Sequence, residues 1–376
     1  MKIGLITFHA SYNFGSVWQA FALQQLIQQR FCNCEIINYR MLSQKDKYSL
    51  FPLHYGLKSL LRSAVQLPYI FDKRKSYRKY EDFINRKMNL TQEINSVNQL
   101  NSYSNKYDLY IAGSDQIWGY GIPEYIMSNE DSRQPYFLNF TDKPKISYAS
   151  STGTATEEQL SDKKELLGKF SALAVRESRG KEIIERLTGR KVEVVLDPTY
   201  LVSHDEWRKI AEDVNLDCPK KYILIYSLQG MKKSKSWKRL IDEIVRISDY
   251  EFVAISPFAP IRGKRVKNMS KAGPEEILKL FSLADYIYTD TFHGMSFSIH
   301  LRQSFTLFED KPADFRKRNI LERFNLTNRE TTSLSESVEM LNTRIDYSEL
   351  EPLIEAEISH SLNYLNLAIE NATRLF

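Results

Sequence analysis

Cysteine, glycine, proline and long apolar runs are all scarce in this chain, and each scarcity closes off a class of protein. Only three cysteines occur in 376 residues, two of them in Cys32-Asn33-Cys34. That spacing suits neither a disulfide framework nor a zinc site, so the chain reads as one of a reducing compartment, the cytosol. Fourteen glycines and twelve prolines are too few for a collagenous or low-complexity chain. No apolar stretch approaches the ~20 residues that a spanning helix requires. The opening run, residues 3–8, is too short for the core of a signal peptide and meets His9, Ser11 and Asn13 at once. The remaining histidines, His54, His204, His300 and His360 among them, form no pair at metal-binding spacing, so no metal site is expected.

What is present describes a globular protein. A hydrophobic share of 42% against 26% charged is enough to bury a sizeable core, and 376 residues suit about two domains. Twenty-two tyrosines and twenty phenylalanines mostly alternate with Ile and Val in strand-like runs, which assigns them to the core. The net charge of +5 is mild, and no nucleic-acid-binding module accompanies it, so nucleic acid is not an expected partner. Its distribution is uneven. Between residues 45 and 87 many Lys and Arg face only Asp46, Asp72, Glu81 and Asp82.

Periodicity gives the architecture. Residues 2–8 read as a buried strand, 17–30 as a helix with Ala20, Leu23, Ile27 and Phe31 at helical spacing, and 35–39 as a second strand. This is the βαβ unit of a parallel sheet. Strands follow at 107–112, 145–150, 173–176 and 192–196. Thr156 with Gln159 forms a capping box that opens a helix through residue 170, and a helix over 180–187 stops at Gly189. Ser203 with Glu206 forms a second capping box, where the domains change. The alternation then repeats, with strands at 222–226, 252–256, 286–289 and 305–308 and helices at 237–247, 274–284 and 294–301. Residues 347–372 read as a long amphipathic helix with Leu350, Ile354, Ile358, Leu362, Leu365 and Ile369 on one face. The fold class is therefore α/β. Two Rossmann-like domains, 1–202 and 203–345, face a cleft, the first with a basic helical insertion near 45–90. A C-terminal helix over 346–376 packs across both.

In parallel sheets ligands bind outside the carboxyl ends of the strands, which selects four loops: 9–16, 113–118, 176–180 and 290–294. His293 sits at a strand-to-helix turn, where an imidazole can exchange a proton near neutral pH and the helix N-terminus offers N–H groups to an anion; the plainer reading is a histidine that caps its own turn. Arg176 can bind carboxylate or phosphate through its planar fork, or serve as a structural ion pair with Glu177 or a neighbouring helix. Asn13 and Gly15 lie in a loop before a helix that could cradle a ligand, although the full dinucleotide fingerprint is absent. Ser114 and Asp115 follow a strand; Asp115 could orient or deprotonate a hydroxyl, or cap the next segment. His9 borders the first loop. Beyond residue 308, Lys311, Arg316, Lys317 and Arg318 read mostly as a solvated face from which one cation could reach a ligand.

In order along the chain, these segments resemble the polysaccharide pyruvyl transferase family. The matching stretches are Gly4-Leu-Ile-Thr-Phe-His9 with Asn13-Phe-Gly15-Ser-Val-Trp-Gln-Ala20, Ile111-Ala-Gly-Ser-Asp-Gln-Ile-Trp118, Ile146-Ser-Tyr-Ala-Ser150, Ala174-Val-Arg-Glu-Ser178, Val195-Leu-Asp-Pro-Thr199 and Thr289-Asp-Thr-Phe-His-Gly294. Trp18 and Thr291 depart mildly from the usual pattern. The resemblance implies a GT-B-like pairing of the two domains, with the acceptor on the first and the donor on the second. It also implies transfer of the pyruvyl group of phosphoenolpyruvate to two sugar hydroxyls, with phosphate released, in the making of a capsular or exopolysaccharide. It casts His293 as the catalytic histidine and Arg176 as a donor-binding arginine; beside them we expect Asp115 to orient the hydroxyl. A further donor-binding cation follows, Lys311 first and Arg316 next. His9, Asn13, Gly15, Ser114 and Gly294 are the remaining substrate-binding candidates. No cofactor is implied, phosphoenolpyruvate being a co-substrate.

Two rivals and one accessory reading stand beside it. A nucleotide-sugar glycosyltransferase of the same architecture commonly holds ribose hydroxyls with an acidic residue of its second domain, yet residues 291–304 contain no Asp or Glu. A carbohydrate-binding protein without catalysis is the other rival. Leu57, Leu60, Leu61, Ala64 and Val65 beside Lys58 and Arg62 could form a face for an anionic membrane surface, useful with lipid-diphosphate-linked acceptors, or simply a helix packed on its own domain.

Overall fold

The structure, a computed structural model, describes residues 1–31, 33–47, 70–122, 125, 132–229, 232–257 and 259–374. The apolar face read from Leu57 to Val65 lies outside the described residues. The chain divides into two compact units. Met1–Leu61, Ile84–Leu201 and Glu355–Phe376 form the first; Arg62–Phe83 and Val202–Ile354 form the second. Residues 70–83, expected within the first domain, thus belong to the second unit, where Lys79 Nζ pairs with the Glu276 carboxylate at 2.6 Å and Ser76 Oγ donates to Ala272 O at 2.9 Å. Among the described residues, the helices of nine residues or more are α1 (Phe14–Arg30), α2 (Ile70–Lys87), α3 (Ser178–Thr188), α4 (His204–Glu212), α5 (Ser234–Ile247), α6 (Pro274–Leu283), α7 (Phe292–His300), α8 (Phe315–Arg323) and α9 (Tyr347–Arg374).

Among the described residues, six parallel strands build the first unit: β1 (Ile3–Ile6), β2 (Cys34–Ile36), β3 (Leu109–Ala112), β4 (Lys145–Ser147), β5 (Ala174–Val175) and β6 (Glu193–Val194). Their order is β2-β1-β3-β4. The bridges Ile146↔Ala172 and Ser150↔Val175 join the β5-β6 pair to the β4 edge. β1, β3 and β4 are buried along their whole length, as strands covered by helices on both faces must be. Asn13 caps α1 by accepting from Gly15 N at 3.0 Å, so the helix begins three residues earlier than its apolar period suggested. The helix expected over 157–170 breaks into Glu157–Leu160 and Lys164–Gly168. Ser161 Oγ donates back to Glu158 O at 2.7 Å there, a local bond that competes with the helical ladder.

Strands β7 (Tyr222–Tyr226), β8 (Glu251–Ile255), β9 (Val266–Asn268), β10 (Tyr286–Thr289), β11 (Phe305–Phe308) and β12 (Glu330–Thr331) make the second sheet, ordered β9-β8-β7-β10-β11-β12 and parallel throughout. Numbered within the unit this is 3-2-1-4-5-6, the doubly wound dinucleotide-fold order, whose switch point falls between β7 and β10. Strand order reverses in the first unit between β1 and β3.

All four tryptophans are fully buried, Trp18 and Trp118 in the first unit and Trp207 and Trp237 in the second. Trp118 stacks on Phe137 and donates its indole N–H to Tyr136 O at 2.9 Å. The aromatic load is thus spent mainly on the two cores, at about 1.5–3 kcal/mol for each fully buried large apolar side chain. α9 divides between the units at Ile354 and Glu355. From there it packs in the first unit, where Ser361 Oγ accepts from Leu196 N at 2.9 Å and Tyr364 donates to Ser147 O at 2.9 Å. No described helix is long and apolar enough to cross a membrane.

Candidate functional site

Strand order narrows the four candidate loops to three, those after β1 and β3 in the first unit and the one after β10 in the second. In the first unit the switch point places the loop after β1 beside the loop after β3, where Thr7 Oγ1 donates to Ser114 O at 2.7 Å. Asp115 follows with φ +74°, a left-handed conformation that costs a side-chain-bearing residue about 1–3 kcal/mol and persists only where neighbours over-determine it. Three bonds do so here. Ser16 Oγ, in the first turn of α1, donates to the Asp115 carboxylate at 2.6 Å. Gln116 N donates to it at 2.8 Å, and Ser151 N donates to the Asp115 carbonyl at 2.8 Å. The carboxylate is therefore aimed and fixed at the switch point, and it also caps the next residue.

Arg176 lies at the end of β5 and is 2% exposed. Its Nη1 donates to Asp197 Oδ2 at 2.8 Å. Asp197 stands just past β6 and also accepts from Ser114 Oγ at 2.9 Å and Thr199 Oγ1 at 2.8 Å. Glu177 instead accepts from Ser151 Oγ at 2.9 Å and Thr152 N at 2.8 Å. Burial works against the guanidinium charge, but Asp197, then Asp115 and Glu177, outweigh it and hold its pKa above the ordinary value. One cation among three carboxylates is not an anion trap by itself. A hydroxyl- and carboxylate-lined edge suits a polyhydroxylated ligand.

The second unit puts His293 at its own switch point. β10 ends at Thr289, Asp290 follows, and Thr291 caps α7 by accepting from Gly294 N at 2.8 Å. His293 is the second residue of α7, half-buried, with its ring edge-on to Phe292 at 5.1 Å; the cap of this turn is Thr291. Gly294 has no room for a side chain, since a Cβ would come within 2.1 Å of Thr289 Oγ1. Asp290 accepts from Ser227 Oγ at 2.6 Å and Leu228 N at 3.2 Å, closing the ends of β7 and β10 together. Burial raises its pKa, against the pull of Ser227, Lys233 and Lys317.

Of the other predicted residues, Ser114 joins the Asp197 network, while the Asn13 carboxamide is occupied as the α1 cap. His9 is buried, with Nε2 at 2.8 Å from Asn38 Oδ1 and Nδ1 at 3.2 Å from Thr7 O, a core arrangement. Lys311 is exposed and Arg316 pairs with Asp314 at 3.0 Å. Sequence reasoning passed over Ser16, Asp197, Asp290, Glu309 and Lys233, and left Lys317 undivided in a basic run. Asp197, Asp290 and Glu309 each stand just beyond a strand, the position that singled out Arg176. Lys317 shares a helical face with the buried Ile320 and Leu321, a period that separates it from the less buried Arg316 and Arg318. Among the described residues no cluster of His, Cys, Asp or Glu is arranged to hold a metal ion.

Residues 13–311 match the family model described as Polysaccharide pyruvyl transferase. The chain belongs to that family. The match takes in Asp115, Arg176, His293, Gly294 and Lys311, and leaves His9, Arg316 and Lys317 outside. No curated protein sequence matches this pyruvyl transferase family member. Solved structures of similar fold include the UDP-GlcNAc 2-epimerase of Methanocaldococcus jannaschii in complex with UDP-GlcNAc and UDP (13% identity, 92% of this chain and 94% of that one, TM-score 0.52). The Neisseria meningitidis enzyme bound to UDP-GlcNAc aligns at 11% identity over 100% and 98% of the chains, TM-score 0.53. UDP-N-acetylglucosamine 2-epimerase from Rickettsia bellii aligns at 8% over 100% and 97%, TM-score 0.58. Identities this low speak for fold alone, and that fold is the GT-B-like pair of Rossmann-like units.

Proposed function

We propose that this protein transfers the pyruvyl group of phosphoenolpyruvate to two hydroxyls of a sugar, forming a ketal and releasing phosphate. The observation that carries the reading is the family match, which spans both switch-point residues, Asp115 and His293. The first sugar hydroxyl adds to C2 of the enol and gives up its proton, while C3 takes up a proton and becomes a methyl group. Phosphate then departs with the C–O bonding pair. The second hydroxyl captures the resulting cation-like carbon and gives up its proton. His293 acts as the principal acid and base, a task suited to an imidazole near neutral pH. Asp115, held by Ser16 and Gln116, orients the attacking hydroxyl. The N-terminus of α7 supplies N–H donors for the anionic donor.

Arg176 supports donor binding in this reading, with a change of emphasis. Because Asp197 already engages its Nη1, it acts partly by ordering Ser114 and Asp197 around the acceptor. Lys311, exposed just beyond β11, is the remaining donor-binding cation, and Arg316 the next. The acceptor is a sugar of a cell-surface polysaccharide, carried on a lipid diphosphate at a membrane face. Phosphate release should appear only when phosphoenolpyruvate meets a matching acceptor in a panel of galactosyl, mannosyl and hexosaminyl sugars.

A second reading is favoured by the solved structures of similar fold, whose descriptions name UDP-GlcNAc and UDP. It makes this a nucleotide-sugar enzyme. Against it stands the acid-free run over 291–304, and the acidic residue that follows, Glu309, is paired with Lys317. Thermal-shift measurements separate the two: stabilisation by phosphoenolpyruvate supports pyruvyl transfer, and stabilisation by a UDP-sugar alone overturns it.

A further inference from the structure

Two clamps hold the turn that presents His293. The inner one is made of hydroxyls: Thr289 Oγ1 donates to Tyr226 O at 2.8 Å and accepts from Thr291 N at 3.1 Å, beside the Thr291 cap on Gly294 N. The outer one is ionic. The Asp290 carboxylate grips the end of β7, and its backbone carbonyl accepts from Lys317 Nζ at 3.3 Å. The same ammonium pairs with Glu309, just past β11, and lies 3.7 Å from the Asp314 carboxylate at the start of α8. Glu309 lies 3.8 Å from Lys233 Nζ, which donates to Phe308 O at 2.5 Å. Lys233, Asp290, Glu309 and Lys317 are all buried.

Stability alone does not account for this cluster. Burying ionised pairs is costly, and apolar replacements of similar volume are often neutral or stabilising. What the ions add is direction: one ammonium joins the ends of β10 and β11 and the start of α8, at the switch point from which α7 departs. We propose that Lys317 is a positioning residue, which with Glu309 fixes the Asp290 carbonyl and so the backbone that presents the His293 ring. It acts through that turn and does not touch the reacting atoms. Misplacing a reacting group by about 1 Å can cost on the order of 100-fold in rate, so a modest loosening has a measurable effect.

The test combines kinetics with a readout independent of chemistry. The kinetic arm rests on the pyruvyl-transfer reading; the second arm follows the ring signals of His293 by NMR, assigned with His293→Gln, and does not. Lys317→Met should lower kcat roughly 10- to 100-fold with the KM for phosphoenolpyruvate nearly unchanged, and should shift the His293 ring signals. Lys317→Arg should restore most of both. A raised KM with unchanged kcat and unmoved His293 signals would make Lys317 a donor contact and overturn the proposal. If Lys317→Met does not fold, Glu309→Gln decides, since it keeps the ammonium but removes its partner. It should move the same signals by less, and unmoved signals would refute the role. If no acceptor supports phosphate release but the signals shift as described, the positioning claim stands and the transferase reading falls.

Discussion

The two units solve the same problem in different ways at their strand ends. In the first, one buried guanidinium serves Asp197 and lies near Asp115 and Glu177. In the second, two buried ammoniums, Lys233 and Lys317, share Glu309 and lie near Asp290. Arginine keeps its charge at any working pH and binds through a rigid fork, whereas a buried lysine is adjustable. Burial lowers the pKa of Lys233. The first cluster is thus a fixed frame rich in carboxylate and hydroxyl, and the second a balanced one behind the turn that carries His293.

The largest expected effect comes from unbalancing the first cluster. Arg176→Ala strands Asp197 in the core and should cost about 3–5 kcal/mol of stability. Lys317→Met leaves Glu309 near Lys233 and should cost roughly 1–3 kcal/mol, the order of one lost charged hydrogen bond. Denaturation midpoints of the two variants check this; equal losses would erase the distinction between the clusters. A smaller effect separates the two switch-point aspartates. Asp115 has a left-handed backbone and Asp290 does not. Asparagine tolerates that conformation where other side chains pay about 1–2 kcal/mol. Asp115→Ala should therefore be less stable than Asp115→Asn by at least that amount, whereas the same pair at Asp290 should lack the backbone share. Solving both Ala variants would reveal whether the loop after β3 relaxes.

The smallest effect is a slope. The pKa of Asp290 is raised in the fold by burial above the ordinary 3.8. The native state therefore holds its proton to higher pH than the unfolded chain does. Stability linked to this group is full below about pH 4 and declines as pH rises through the folded value. Asp290→Asn should flatten that decline without abolishing it, because burial raises the pKa of Glu309 in the same direction. Melting temperatures between about pH 4 and 7 read it directly. A steeper decline in the variant would reverse the sign.

Much of this frame was legible in the residues. The bounds of β7, β10 and β11 follow from their runs of aromatic and β-branched residues, and both capping boxes, Thr156 with Gln159 and Ser203 with Glu206, form as their spacing predicts. The short strands β9 and β12 were not legible, being edges with little apolar content. The partner of Arg176 was sought at Glu177 or on a neighbouring helix, and lies beyond the adjacent strand at Asp197, because pairing between strand ends leaves no local spacing to read. The rule that ligands bind beyond the strand ends picked out loops without ranking them, and strand order, which a sequence does not print, was needed to place Asp115 and His293 at the switch points.

Phosphate release from phosphoenolpyruvate, with and without a sugar acceptor, tests the central claim most directly when run on the native protein beside His293→Gln. The account predicts acceptor-dependent release by the native chain and a loss of about 100- to 10,000-fold in the variant with its fold intact. Equal release by both proteins would contradict it.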